Sequence, residues 1–376
     1  MSRVWAMLIN IRNVDWIKVV DRWITTSEAA ERLGVKRGTL YAYVSRGVLH
    51  SRRMPGQAES LFDRTQVDSL AAGKHDGRRE ADRLLRFRAV TTRVSALRGD
   101  SLRLRGRPIA QVCAEMDFAA AARFTLEVDG AAPPPRVDLG PARGVALERR
   151  IPLAVALLAA WDPLRADRSA VAERTLGLLP VLADLVPEVR LEHPWVQAQA
   201  TCLIDNGLAA STTAARVAAS ARAGLYDALL AGYGAMAGVL HGGAPAAAYA
   251  MLGRMLEGGD ADAAIADASW GGHLAGFGHI VYTSEDPRAT VVLDLLRADR
   301  PDAPALQAVA ELADRVGRAV NIDLAGAAVA HELGLPARST EVLFQYGRTV
   351  GMAAHIAEEY EEAPLRWRGA NSGGVR

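Results

Sequence analysis

The chain has 376 residues, 50% hydrophobic but only 6% aromatic, with a formal net charge of +1. That length supports two or three domains, and a core built from Ala, Leu and Val rather than aromatics favours helices over sheets. Cys113 and Cys202 are too few and too far apart in sequence for a disulfide framework, and no run long enough to span a bilayer is free of charge. The expectation is a protein of the reducing cytoplasm with no membrane partner.

The first twenty residues carry Arg12, Asp15 and Lys18 and lack the apolar stretch of a secretory leader. Up to Arg107 the chain holds 22 Lys and Arg against 11 Asp and Glu; the remainder holds 22 against 32. A basic front on an acidic body suits an anionic partner. An Arg-rich helix facing solvent, or the acidic body of its own dimer, accounts for it equally well.

Within the front, Thr25 to Val35 reads as a short helix and a turn. A hydroxyl at Thr26 or Ser27 is expected to cap it, and Gly34 to end it in the left-handed conformation. Lys36 to Gly47 gives a second short helix. Ala30, Leu33, Val35, Leu40 and Val44 can share a small core, leaving Lys36, Arg37, Thr39, Tyr43 and Arg46 to face outward. Over residues 20–72 this resembles a MerR-type helix-turn-helix, with Leu49 to Arg53 and Phe62 to Arg64 as its wing. The resemblance implies a second helix in the major groove of DNA and basic residues on phosphates. The contact candidates are Lys36, Arg37, Thr39, Tyr43, Arg46, Arg52 and Arg53. A structural or dimerising appendage is the alternative reading.

Residues 73–84 read as a polar linker. Around Gly99-Asp100, the alternation that includes Leu102 and Leu104 predicts a hairpin. From Ile151 to Ala363 the pattern is almost wholly helical, punctuated at Pro163, Pro187, Pro194, Gly242-Gly243, Gly271-Gly272, Pro301 and Gly334-Leu335-Pro336. Ala- and Gly-rich stretches such as Ala214 to Met236 permit close helix–helix approach. Ala131 to Pro135 is expected to be an exposed connector.

The chemistry sits at the breaks between helices. His193, His331 and His355 read as satisfied core or helix residues. His241 and His279 differ, because glycines bracket both, in Leu240-His241-Gly242-Gly243-Ala244 and Gly276-Phe277-Gly278-His279. Glycine lets backbone approach a ligand and a side chain project from a turn. Asp286-Pro287-Arg288-Ala289, Asn321-Ile322-Asp323 and Gly347-Arg348-Thr349-Val350-Gly351 follow. Taken alone, Asp323 reads as a helix N-cap and Arg348 as a partner in a surface or interdomain ion pair.

In this order and spacing the five segments resemble the citrate synthase family over about residues 85–376. The resemblance implies an all-α, two-domain helical fold, with a small domain at about 243–330 and a large domain comprising the rest. It implies that Asp323 removes a proton from the α-carbon of an acyl-CoA and that His241 donates to the enolate oxygen. His279 would hydrogen-bond and protonate the ketone of a 2-oxo acid, whose carboxylates Arg288 and Arg348 would hold. Arg366, in Leu365-Arg366-Trp367-Arg368, matches an arginine that reaches the partner subunit's site in a homodimer. The CoA thioester would bind near Leu274 to Gly278, and neither a metal nor a further cofactor is implied. The opening hairpin matches a family segment in which Leu104 replaces a tyrosine.

One segment departs from the pattern. Where the family carries Asp-His-Glu-Leu-Asn before a serine, this chain has Asp205-Asn206-Gly207-Leu208-Ala209, then Ala210-Ser211. Asn206 still donates a hydrogen bond to the acid but carries no charge. Losing a charge-assisted bond costs about 1.5–3 kcal/mol, enough to change the preferred acceptor without abolishing chemistry. Two functions remain in view: a condensing enzyme with an altered acceptor pocket, and a DNA-binding regulator that uses the same fold to sense a ligand.

Overall fold

The computed structural model describes residues 23–45, 49, 51–53, 60–64, 66–68, 70, 90–270 and 273–367. The chain divides into two compact units, one up to Thr91 and one from Thr92. The linker expected at 73–84 and the contact candidate Arg46 lie outside the described residues.

In the first unit, β1 (Trp23–Thr25) leads into α1 (Thr26–Leu33) and α2 (Arg37–Ser45), followed by β2 (Ser51–Arg53) and β3 (Ser60–Asp63). The strands form an antiparallel sheet of order β1-β3-β2, with Phe62 opposite both Ile24 and Ser51. Ile24, Ala29, Leu33, Leu40, Leu49, Phe62 and Val67 close its core. The cap of α1 is Thr25 rather than Thr26 or Ser27. Its hydroxyl accepts from Glu28 N–H while the Glu28 carboxylate returns to Thr25 N–H, a reciprocal capping box. Thr26 is buried instead, donating to the Ser60 carbonyl. Gly34 ends the helix at φ 60°. Lys36 and Arg37 are exposed, with Arg37 reaching Ser27 Oγ at 2.6 Å. Tyr43, expected to face outward, is half-buried against the core, and Tyr41 takes the exposed position. Thr39 is half-buried as well, and Arg52 and Arg53 lie in β2.

The second unit opens with the expected hairpin, β4 (Ser95–Arg98) and β5 (Ser101–Leu104), turning at Gly99-Asp100 and extended by β6 (Arg107–Pro108). Helices α3 (Ile109–Glu115), α4 (Phe118–Leu126), α5 (Gly140–Arg143), α6 (Leu147–Ala160) and α7 (Val171–Asp184) come next. The Ala131 to Pro135 connector is held to α7, since Ala132 N–H donates to the Glu173 carbonyl. There follow α8 (Pro194–Leu203), α9 (Ala210–Ser220), α10 (Leu225–Met236), α11 (Ala244–Leu256) and α12 (Ala261–Ala268). A two-residue ribbon, β7 (Ser269–Trp270) with β8 (His273–Leu274), precedes α13 (Pro287–Asp299), α14 (Pro304–Val316), α15 (Ile322–Glu332) and α16 (Ser339–Tyr360).

Helix α16 is the axis of this unit. Every residue from Ser339 to Ile356 is buried, and α4, α6, α7, α8, α9 and α10 pack around it. Its polar side chains are buried with the apolar ones, Arg348 and His355 among them, and are held by partners on neighbouring elements. Small residues set its closest approach. A Cβ at Gly351 would lie 1.9 Å from the Ile204 carbonyl oxygen, and one at Gly347 would lie 2.5 Å from that of Ala200. The backbone of α8 and of the segment after it therefore rests directly on α16, which fixes where residues 203–206 point.

Gly351→Ala forces two backbones apart in a dense interior. Denaturant unfolding should show a loss of about 1–3 kcal/mol; an unchanged midpoint would mean that the contact is not as close as described.

Candidate functional site

Two glycine-marked turns and two helix N-termini meet in the second unit. Gly278 stands at φ +65° and its N–H donates to the Ala319 carbonyl at 2.8 Å. Phe277 bridges Val320, and Asn321 N–H donates to the Gly276 carbonyl at 2.9 Å. The Asn321 side chain caps α15 by accepting from Asp323 N–H while its Nδ2 donates to the Gly278 carbonyl. This clip holds the turn carrying His279 against the first turn of the helix carrying Asp323. Asn321, and not Asp323, is the capping residue, so the carboxylate of Asp323 is not spent on the helix end.

Asp286 caps α13 and collects four N–H donors: the backbone and Nε of Arg288 on Oδ1, Arg288 Nη2 and Ile322 N–H on Oδ2. Burial opposes its charge, but Arg288 and these bonds hold the carboxyl below the usual range. Arg288 is 3% exposed and also stacks over Tyr282. One edge of its guanidinium, Nε and Nη2, is thus committed to Asp286, leaving Nη1 for a ligand. Asp323 is half-buried and no hydrogen bond fixes its carboxylate among the described contacts. Burial pushes its pKa up to about 7, against the pull of Arg288 and with the help of Asp286.

His241 precedes α11, its ring edge-on to Phe344, and its Nε2 lies 2.9 Å from Ser211 Oγ. Arg348 Nη1 donates to the same oxygen at 3.4 Å, and its Nε donates to the Leu203 carbonyl. Ser211 Oγ accepts from Arg348 and, with one hydrogen and a second lone pair, can either donate to His241 Nε2 or accept from it. Burial, with Arg348 and Arg288, lowers the His241 pKa to about 4. Arg348 itself is pushed down to about 10 by burial.

His279 Nδ1 accepts from Val281 N–H at 3.0 Å, so the proton of the neutral ring lies on Nε2. Asn206 Nδ2 stands 3.3 Å from that nitrogen, and Asn206 Oδ1 accepts from Tyr282 Oη at 2.5 Å. Two donors facing each other make no bond, which leaves His279 Nε2–H available to a carbonyl oxygen. Burial, then Arg288, lowers the His279 pKa to about 4. Both histidines are neutral donors near pH 7. The charge of Arg288 bears on His241, His279, Asp323 and Arg348 alike.

A cavity of about 410 Å³ is lined by His279, Tyr282, Asp286, Arg318 and Asn321 among others. The guanidinium of Arg318 fills the space that a side chain at Gly278 would take. Arg366 is not gathered into this cluster. It forks onto Glu359 of its own chain at 2.6 and 2.7 Å, and Glu359 also takes Arg216 Nε. His355 is fully buried, with Asp205 on Nε2 and Arg216 on Nδ1. His331 stacks on Tyr249, and His193 caps α8.

Sequence reasoning missed Ser211, Tyr282 and Asp286. Ser211 and Asp286 stood inside the quoted segments, but their partners, Arg348 and Ile322, are remote in sequence. Nothing local signalled Tyr282. Among the described residues no group of His, Cys, Asp and Glu is placed to hold a metal ion, and no helix is long and apolar enough to cross a membrane.

A family model described as citrate synthase, C-terminal domain, matches residues 147–368, and one described as helix-turn-helix domain matches residues 23–75. Putative citrate synthase 2 of Mycobacterium tuberculosis (strain ATCC 25618 / H37Rv) is 39% identical over 177 residues, 44% of this chain and 46% of the relative. The citrate synthase of Haloferax volcanii is 34% identical over 171 residues, 43% and 45% respectively. The chain spans about half the length of the curated relatives it matches. Among solved structures, citrate synthase from Thermotoga maritima MSB8 superposes with a TM-score of 0.62 at 20% identity, over 77% of this chain and 94% of that one. That from the archaeon Thermoplasma acidophilum, in ternary complex with carboxymethyl coenzyme A and oxaloacetate, gives 0.63 at 20% identity, over 77% and 95%. The two structures share the fold of this chain.

The raised pKa of Asp323 has a stability consequence. An unfolded Asp ionises near ~3.9, and the folded one at about 7. Between those values the folded state binds more protons, so this group's contribution to stability falls as pH rises. Asp323→Asn should therefore raise the melting temperature at pH 8, by up to about 4 kcal/mol of stability. The gain should vanish as the pH approaches 4. A gain that did not depend on pH would contradict the raised pKa.

Proposed function

We infer from this geometry that the chain, which belongs to the citrate synthase family, condenses an acyl-CoA thioester with a 2-oxo acid and releases CoA. The observation that carries the reading is the gathering of two neutral histidines and a carboxyl of raised pKa around the Arg288 guanidinium. Asp323 takes a proton from the α-carbon of the thioester. A base with a pKa near the working pH suits that step, because the α-proton is weakly acidic. With Ser211 Oγ donating to its Nε2, His241 gives its Nδ1–H to the thioester oxygen as charge develops there. As a neutral donor in a buried site it stabilises the enolate without the cost of burying a cation. The enolate carbon then attacks the ketone of the acid, and His279 donates Nε2–H to the oxygen on which the new alkoxide forms.

Arg348 and the free edge of Arg288 supply charge for the carboxylates of the acid. Asn206 adds one neutral donor. An acceptor different from oxaloacetate, or a weaker hold on it, follows from that neutral amide. Arg318 offers positive charge for the phosphates of CoA at the rim of the cavity. No cofactor beyond the thioester is required. Assembly as a homodimer in which Arg366 serves the partner's site would require its fork with Glu359 to open.

Thiol release from acetyl-CoA, followed across a panel of 2-oxo acids, tests the reading. Release with at least one acid is expected, and Asp323→Asn should bind substrates while losing about 100- to 10,000-fold in turnover. Silence with every acid, or turnover that survives the substitution, overturns it. Asn206→His should raise kcat/KM for oxaloacetate by about 10- to 150-fold if the missing charge sets the preference.

A second reading rests on the first unit, where Lys36 and Arg37 stand exposed at the start of α2 in a match to helix-turn-helix domains. On that reading the chain regulates transcription and the second unit senses a ligand. Binding to DNA upstream of its own coding sequence should weaken steeply with salt and be lost in the Lys36→Ala, Arg37→Ala double variant. Binding that ignores salt and both residues excludes it.

A further inference from the structure

Cys113 lies in α3 and Cys202 in the last turn of α8, 89 positions apart in sequence, yet their Sγ atoms stand 3.6 Å apart. These are the only cysteines in the chain. Their surroundings differ. Cys202 is fully buried, and its neighbouring thiol together with burial keeps its proton on. Cys113 is half-buried and lines a surface cavity of about 600 Å³ with Met116, Trp195, Gln197, Leu295 and Asp299. A small oxidant reaches Cys113 first and finds a second thiol immediately behind it.

We propose that Cys113 and Cys202 are an oxidisable dithiol, closed by a peroxide into an intramolecular disulfide between α3 and α8. The Cys113 sulfur attacks one peroxide oxygen, the O–O bond breaks, and Cys113 becomes a sulfenic acid with loss of one water. The Cys202 sulfur then displaces the hydroxyl. The S–S bond forms, the S–O bond breaks, and the thiol proton leaves with the hydroxyl as a second water. Two thiols lose two electrons in all, and one peroxide gains them.

Forming the bond brings the sulfurs to about 2.05 Å, an approach of about 1.5 Å. Helix α8 has no slack on its far side, where Gly347 and Gly351 of α16 and Gly326 of α15 rest on residues 199–204. The movement therefore falls to α3. The linkage lies one residue before Leu203, whose carbonyl holds Arg348, and three before Asp205. It does not depend on the proposed catalysis, and neither does its test.

The full-length protein is exposed to hydrogen peroxide, then denatured, titrated for thiols and mapped by mass spectrometry. Both thiols should disappear, a peptide linking Cys113 to Cys202 within one chain should form, and dithiothreitol should restore both. In Cys202→Ala, Cys113 should pass on to sulfinic acid. In Cys113→Ser, Cys202 should stay reduced. Wild-type protein that gives over-oxidised Cys113 beside a free Cys202 overturns the proposal. So do chains cross-linked to one another, and so do two unreacted thiols when the half-buried Met116 or Met255 of the same sample is oxidised.

Discussion

The buried carboxylate of Asp286 organises the candidate site. Its two oxygens accept from the backbone of its own helix start, from two nitrogens of Arg288 and from the N–H of Ile322. It therefore joins the N-terminus of α13 to that of α15, and so sets Arg288 beside Asp323. A pair this deep is held by its geometry, because removing one partner leaves an uncompensated charge at a cost of about 3–5 kcal/mol. The positive charge of Arg288, fixed in place, then helps to keep His241 and His279 neutral. It also stops the Asp323 pKa from rising further, since burial alone would carry it higher. One ion pair thus bears on the charge state of a carboxyl and two imidazoles at once.

The other half of the site depends on packing. Helix α16 carries Arg348 through the middle of the second unit, and its glycines let the backbone of residues 200–204 lie against it. That approach brings the Leu203 carbonyl to Arg348 Nε and delivers Asn206 to His279. Ser211, at the start of α9, completes the link by joining Arg348 to His241. The packing around α16 thus reaches His241 through one hydroxyl.

Much of this was legible in the sequence, for identifiable reasons. Helix boundaries were marked by Pro and Gly, and the histidine turns stood out because glycine is required where backbone folds tightly. The Gly99-Asp100 hairpin showed in its turn residues and alternation. What the sequence hid were relationships between remote positions. The proximity of Cys113 to Cys202 has no local signature, nor has the contact of Tyr282 with Asn206. Thr25 was passed over as a cap because three consecutive hydroxyl-capable residues compete there, and the choice is made by burial of Thr26 against Ser60. Tyr43 was assigned to the outer face by charge pattern alone, whereas the small core of the first unit needed its ring.

The account stands or falls on whether Asp323 and His241 enolise a thioester, whichever acid accepts the carbanion. Exchange of the α-protons of acetyl-CoA with deuterated solvent, followed by NMR in the presence of an unreactive di-acid, measures that step alone. The account predicts exchange catalysed by the wild-type chain and lost in Asp323→Asn. No exchange above the solvent background, or equal exchange in the variant, would contradict it.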